Sequence, residues 1–143
     1  MTQDQLAEIQ ALSWKWAKFA GFDKLSNIET QIALNKEIAE AWESRNNREE
    51  LIKELTDICL ILVRSVKVNC LNARVPRLTF PIAKEAGELI MQLMELRGLD
   101  IKLKSLIQYC QQNNIGLYNH CKLKLRYNYT RPEYIAKNKE LNK

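Results

Sequence analysis

Four carboxylates in this 143-residue chain have the spacing of a shared site. Glu37 and Glu40 lie three apart, as do Glu54 and Asp57, and residues three apart share one face of an α-helix. The polar turn Arg45-Asn46-Asn47 separates the two segments. Helices carrying the pairs would therefore fold back antiparallel and bring them toward one point. Like charges gathered in this way raise each other's pKa unless a cation neutralises them. Carboxylate oxygens are the preferred ligands of Mg²⁺, which also keeps waters and binds substrate phosphates. The competing reading is solvated helix surface, and Glu37 and Glu40 do share a polar flank with Glu29, Lys36 and Glu43. The second pair is harder to leave in water. On a helical wheel Glu54 falls between Ile58 and Ile61, and Asp57 between Leu60 and Ile61. A carboxylate partly buried there needs a partner. Spacing alone leaves both readings open.

A second set of residues is cationic. Lys124 and Asn128 lie four apart on the stripe that carries Leu117 and Cys121. A lysine on a core-facing stripe either snorkels to water or meets an anion. Lys122 and Arg126 point the opposite way and read as surface. Arg131 stands where the helix must stop before Pro132, leaving its guanidinium free to fork onto a phosphate.

The elements that must position these groups are helical. Leu6, Ile9, Ser13, Trp16 and Ala20 share one face at 3.6-residue spacing, with Trp14 pointing away and Gly21 as a stop. Ser26 or Asn27 can cap a second helix to about Ser44, with Ile28, Leu34, Ile38 and Trp42 apolar. A third runs from Glu49 to about Asn69 on the stripe Leu51, Leu55, Ile58, Leu62 and Val66. After a loop from Leu71 to Pro81 comes a fourth, from Ile82 to about Arg97. A shorter helix spans Ile101 to Gln112, and the last spans Leu117 to Tyr129. No strand-like alternation competes, so an all-α helical bundle is expected over 1–143 as one domain.

Composition agrees with such a domain. Hydrophobic residues make up 46% and charged residues 27%, ordinary values for a chain with a packed core. The four glycines and three prolines are too few for a sandwich or barrel of many tight turns. Cys59, Cys70, Cys110 and Cys121 are scattered singly, without zinc-site spacing, and His120 is the only histidine. The polar, acidic first ten residues do not read as a secretory leader, and no apolar run approaches the roughly 20 residues of a membrane span. A cytoplasmic protein with reduced thiols and no membrane partner is expected. From His120 to Lys143 there are seven Lys/Arg and two Asp/Glu, equal to the whole net charge of +5. That basic tail, 130–143 above all, suggests an anionic partner.

Together these residues resemble the MazG-type, all-α NTP pyrophosphohydrolase superfamily, whose signature is ExxE followed by ExxD on a helical hairpin. Here it reads KEIAEAWESRNNREELIKELTD, with Glu37, Glu40, Glu54 and Asp57 in the four ligand positions. The segment WAKFAGF, Trp16 to Phe22, is similar to the first helix of small members. The ending KLRYNYTRP, Lys124 to Pro132, is similar to their C-terminal motif. The resemblance implies Mg²⁺-dependent cleavage of a nucleoside triphosphate between its α and β phosphates, with Mn²⁺ able to substitute. It also implies a homo-oligomer, dimer or tetramer, that completes the nucleotide pocket across subunits. By the same resemblance Lys124, Asn128 and Arg131 would contact phosphates, and Trp16 would help line the base pocket. Trp16 also suits plain core.

Two features depart from the small members. About forty residues, from Cys70 to Gln111, separate the ExxD helix from the last helix as a helical insert. That insert carries a second ExxE, Glu85 and Glu88, with no ExxD after it, and it is left out of the expected site. Two rival functions stand beside hydrolysis. One is a catalytically weak nucleotide-binding or regulatory protein. The other is a nucleic-acid-binding module using the basic tail, against which stand a neutral body and the absence of a groove-reading motif.

Overall fold

A computed structural model describes residues 1–66 and 81–143. Among these the chain is all-helical, with seven helices and no strand. They are α1 (Gln3–Ala20), α2 (Asn27–Glu43), α3 (Arg48–Arg64), α4 (Ala86–Glu95), α5 (Leu99–Gln112), α6 (Leu117–Thr130) and α7 (Pro132–Leu141).

Local sequence sets the helix ends. Thr2 and Ser26 each begin a helix with a capping box, closed by Gln5 and Glu29 respectively. Asn47 caps α3 by accepting from the Glu50 amide. Gly21 ends α1 in the left-handed conformation at φ +81°, and its amide reaches the Ala17 and Lys18 carbonyls. A Cβ at Gly21 would also come within 3.0 Å of Leu141 Cδ1, so this turn must be bare for α7 to lie against it.

Helix α3 is central, packing on α1, α2, α5 and α6. Its fully buried Leu55, Ile58, Cys59, Leu62 and Val63 join Ile9, Leu34, Leu89, Ile90, Leu93, Leu103 and Leu106 in one core. The insert therefore belongs to that core, with α4 on α2 and α5 on α3. Gln10 Nε2 donates to the carbonyls of Val63 (2.8 Å) and Val66 (2.6 Å). It thus serves carbonyls that the end of α3 leaves without an intrahelical donor. Cys59, Cys110 and Cys121, far apart in the chain, are all buried and free. Hydrogen bonding between Cys59 and Cys121, together with burial, pushes the Cys121 thiol well above its usual range.

The structure corrects several expectations. Helix α3 ends at Arg64 rather than near Asn69, and α4 starts at Ala86 rather than Ile82, because Glu85 holds an extended backbone. The loop expected from Leu71 lies outside the described residues up to 80. Ile28 and Trp42 are 74% and 41% exposed; α2 buries Leu34, Ile38 and Ala41 against its neighbours and turns those two side chains outward. The basic tail is a helix. Pro132 at its first position presets the backbone, Asn138 Nδ2 donates to the Phe19 carbonyl at 3.2 Å, and Tyr134 packs edge-on against Trp16. Its weak apolar pattern hid it, since α7 has no fully buried residue. No helix among the described residues is long and apolar enough to cross a membrane.

Candidate metal centre

Helices α2 and α3 do run back antiparallel, and carboxylates from both meet between them. One oxygen each from Glu37, Glu54 and Asp57 lies within 4.8 Å of the others. Glu40 stands outside that tight set, within hydrogen-bonding reach of both Glu37 and Glu54. Burial is the largest cause of shift in all three clustered acids. It raises Glu37 to about 8, helped by the charge of Asp57 and by contacts with Glu54 and Glu40. It raises Glu54 and also Asp57, where Lys124 works against it. Glu37 Oε2 and Glu54 Oε2 are buried with no hydrogen-bond partner. Two acceptor oxygens without donors, in a cluster of acids, are what a hard cation would satisfy. The donor set fits Mg²⁺ or Mn²⁺.

The cationic residues gather on the other side of the cluster. Lys124 Nζ is 3.4 Å from Asp57 Oδ1, both side chains about three-quarters buried. The lysine therefore finds an anion instead of snorkelling free. Arg131 pairs with Glu133 at 2.6 Å and stacks over Tyr134, 4.9 Å from the ring centroid. Its charge still reaches Asp57 and, with that of Lys124, partly offsets the rise that burial imposes on the carboxyl's pKa. Asn128 is buried, and its Oδ1 has no partner. Lys122 points away, as expected, but pairs with Glu8 at 3.3 Å.

A cavity of about 220 Å³ opens beside the acids. Glu37, Asp57, Lys124, Asn128 and Arg131 line it together with Trp16, Phe22, Tyr134 and Arg64. Trp16 meets Phe22 at 5.4 Å and Tyr134 at 5.3 Å between ring centroids. Trp16 is 6% exposed, so it is core, yet its Nε1 is buried without an acceptor. Lys124 and Arg131 also border an open groove of about 520 Å³, with Lys53, Thr56, His120 and Tyr127. The two spaces share these cations as a wall.

Every residue expected at the site thus lies at or beside one cluster. Glu85 and Glu88 do not. Glu85 begins α4 without a side-chain cap, and Glu88 accepts from the Lys84 amide at 3.2 Å. Reading the sequence missed Arg64, Phe22 and Tyr134. Arg64 had a signal, seven residues beyond Asp57 on one helix face; Tyr134 had none, since its helix was not foreseen. Comparison of the chain with protein-family models, with curated proteins and with solved structures finds no match in any of the three.

Proposed function

We propose that this protein is a Mg²⁺-dependent nucleoside triphosphate pyrophosphohydrolase, converting a (d)NTP and water to the monophosphate and pyrophosphate. One observation carries the reading. Partly buried carboxylates from two helices converge, two of them with unpartnered oxygens, and Glu37 and Asp57 line a cavity that aromatic rings also line.

In this reading Glu37, Glu54 and Asp57, with Glu40 beside them, hold the cation. A Mg²⁺ ion held by these residues would supply charge neutralisation and Lewis-acid polarisation of the phosphate undergoing attack by water. The rings of Trp16, Phe22 and Tyr134 take the base, and Asn128 contacts the phosphate chain. Lys124 and Arg131, bordering both cavity and groove, offset negative charge on the β and γ phosphates as pyrophosphate departs. Lys124, held at Asp57 in the ligand-free protein, would turn donors of its ammonium to the phosphate oxygens on binding. A carboxylate of the cluster is the general base.

The homo-oligomer belongs to the same proposal. Ile28, Ile32 and Trp42 on α2 and Met91 and Met94 on α4 are large, apolar and exposed, and α2 packs on α4. The deciding experiment is a screen of canonical and modified (d)NTPs with Mg²⁺, detecting pyrophosphate and orthophosphate separately. Metal-dependent binding without any monophosphate product would favour the regulatory, catalytically weak protein. The nucleic-acid reading rests on α7, where Lys137 and Lys139 are exposed, and steeply salt-dependent binding of DNA or RNA that survives alanine at the four acids would favour it.

A further inference from the structure

Arg64 closes α3 two turns beyond Asp57 and lines the same cavity. Its Nη1 donates to Ser13 Oγ at 2.9 Å. Ser13 is fully buried and donates in turn to the Leu60 carbonyl at 3.3 Å. This relay holds the guanidinium from behind, 5.7 Å from the centre of the Trp16 ring. No carboxylate pairs with Arg64 among the described residues, and its remaining N–H groups find no acceptor there. Burial draws it down to about 10, which leaves it charged at neutral pH. Two more polar groups lining the cavity are unsatisfied and more than nine-tenths buried: the Trp16 indole N–H and Asn128 Oδ1.

Seven residues of helix separate Arg64 from Asp57 by about 10 Å. A nucleotide with its α-phosphate at the acids extends its base over a comparable distance. Arg64 offers donors only, as does the Trp16 indole. Opposite two donors, a base must present acceptors. Guanine, cytosine, uracil and thymine each carry a ring carbonyl, which accepts through two lone pairs; adenine accepts only through ring nitrogens with one lone pair each, two of them (N1 and N7) flanked by an amino donor, and so matches a forked donor less well.

Resting on the nucleotide reading of this site, we propose that Arg64 is a base-reading residue that selects carbonyl-bearing bases over adenine. Ser13 positions it, and the edge of the Trp16 ring supplies a second donor.

The test uses the full chain with Mg²⁺. kcat/KM is measured for ATP, GTP, CTP and UTP, and binding of AMP, GMP, CMP and UMP is followed by calorimetry. Wild-type protein should favour at least one carbonyl-bearing base over adenine by roughly 5- to 150-fold, the range one bidentate contact supplies. Arg64→Met should erase that preference while changing AMP affinity by less than about threefold. Arg64→Lys should not restore it, because an ammonium lacks the planar fork. Should Arg64→Met fail to fold, Ser13→Ala frees the guanidinium and should narrow the preference. Adenine nucleotides performing as well as all others overturn the proposal, as does an Arg64→Met variant that weakens all four bases equally. Monophosphate binding with base preference but no triphosphate hydrolysis overturns the hydrolase reading and upholds the role of Arg64. No binding of any nucleotide overturns both.

Discussion

Lys124 Nζ lies 3.4 Å from Asp57 Oδ1, across the interface of α6 and α3. This contact joins the basic C-terminal motif to the acid cluster, two features 67 positions apart in the sequence. Asp57 also shares its cavity with Glu37, so one lysine is poised between countering the acids and gripping an incoming anion.

Removing a clustered carboxylate should stop turnover without unfolding the protein. Glu54→Gln and Asp57→Asn should each reduce Mg²⁺-dependent kcat by at least about 100-fold, since lesser changes around metal ligands already cost 10- to 100-fold. Glu54→Gln should keep or raise the melting temperature, because it relieves repulsion. Ca²⁺ should bind but support little catalysis. Steady-state rates and thermal melts check this, and a fully active Glu54→Gln variant would remove the acids from the mechanism.

The pH dependence of stability follows from Glu37. Its folded pKa of about 8 lies above the ordinary 4.5, so between those values the native state holds a proton that the unfolded chain has lost. Its contribution is therefore fully present below about pH 4.5 and is lost as pH rises through 8. Glu54 and Asp57, also raised, act with the same sign. In chelator, the melting temperature should fall from pH 6 to pH 9. Glu37→Gln or excess Mg²⁺ should flatten the fall; an equally steep fall in Glu37→Gln would exclude Glu37 as its source.

Lys124→Met should lose about 2–4 kcal/mol of transition-state stabilisation, judged from comparable oxyanion donors, or roughly 30- to 800-fold in kcat/KM. It also leaves Asp57 without its counter-charge, so the ligand-free protein should melt lower at pH 8, by an amount that shrinks as pH falls and Asp57 takes up its proton. Arg126→Met, on the exposed face of the same helix, should alter activity and stability by no more than about 0.5 kcal/mol. Equal activities of the two variants would take Lys124 out of the site.

The first product should be pyrophosphate, with diphosphates poorer substrates because they offer one phosphate fewer to the cations. Release of orthophosphate from a triphosphate as the first product contradicts the proposed function.

Ile32→Glu should convert the proposed homo-oligomer to a smaller species in sedimentation experiments. The side chain is 64% exposed within one chain, and a charge in an apolar interface is strongly unfavourable. An unchanged mass would place any subunit contact elsewhere.

Much of the fold was written locally. Apolar stripes at helical spacing, capping residues and Gly21 mark the helices, because capping and amphipathicity act within a few residues of chain. The i, i+3 acid pairs were legible for the same reason, as was the tight turn that makes their helices antiparallel. What no local pattern could supply is which face of α2 meets which face of α3. Glu37 looked like part of a polar flank with Lys36 and Glu43, and only packing brought its carboxylate into the cluster and left an oxygen unpartnered. The same holds for Tyr134 and Arg64. Tyr134 lies on a helix whose apolar pattern is too weak to announce itself, yet it closes the aromatic wall against Trp16. Arg64 reads as an ordinary basic residue near a helix C-terminus until Ser13, 51 positions earlier, is seen to anchor it. Helical periodicity determines what each segment can bury; burial, counter-charge and the shape of the cavity depend on contacts between distant segments, and those arise only when the helices pack.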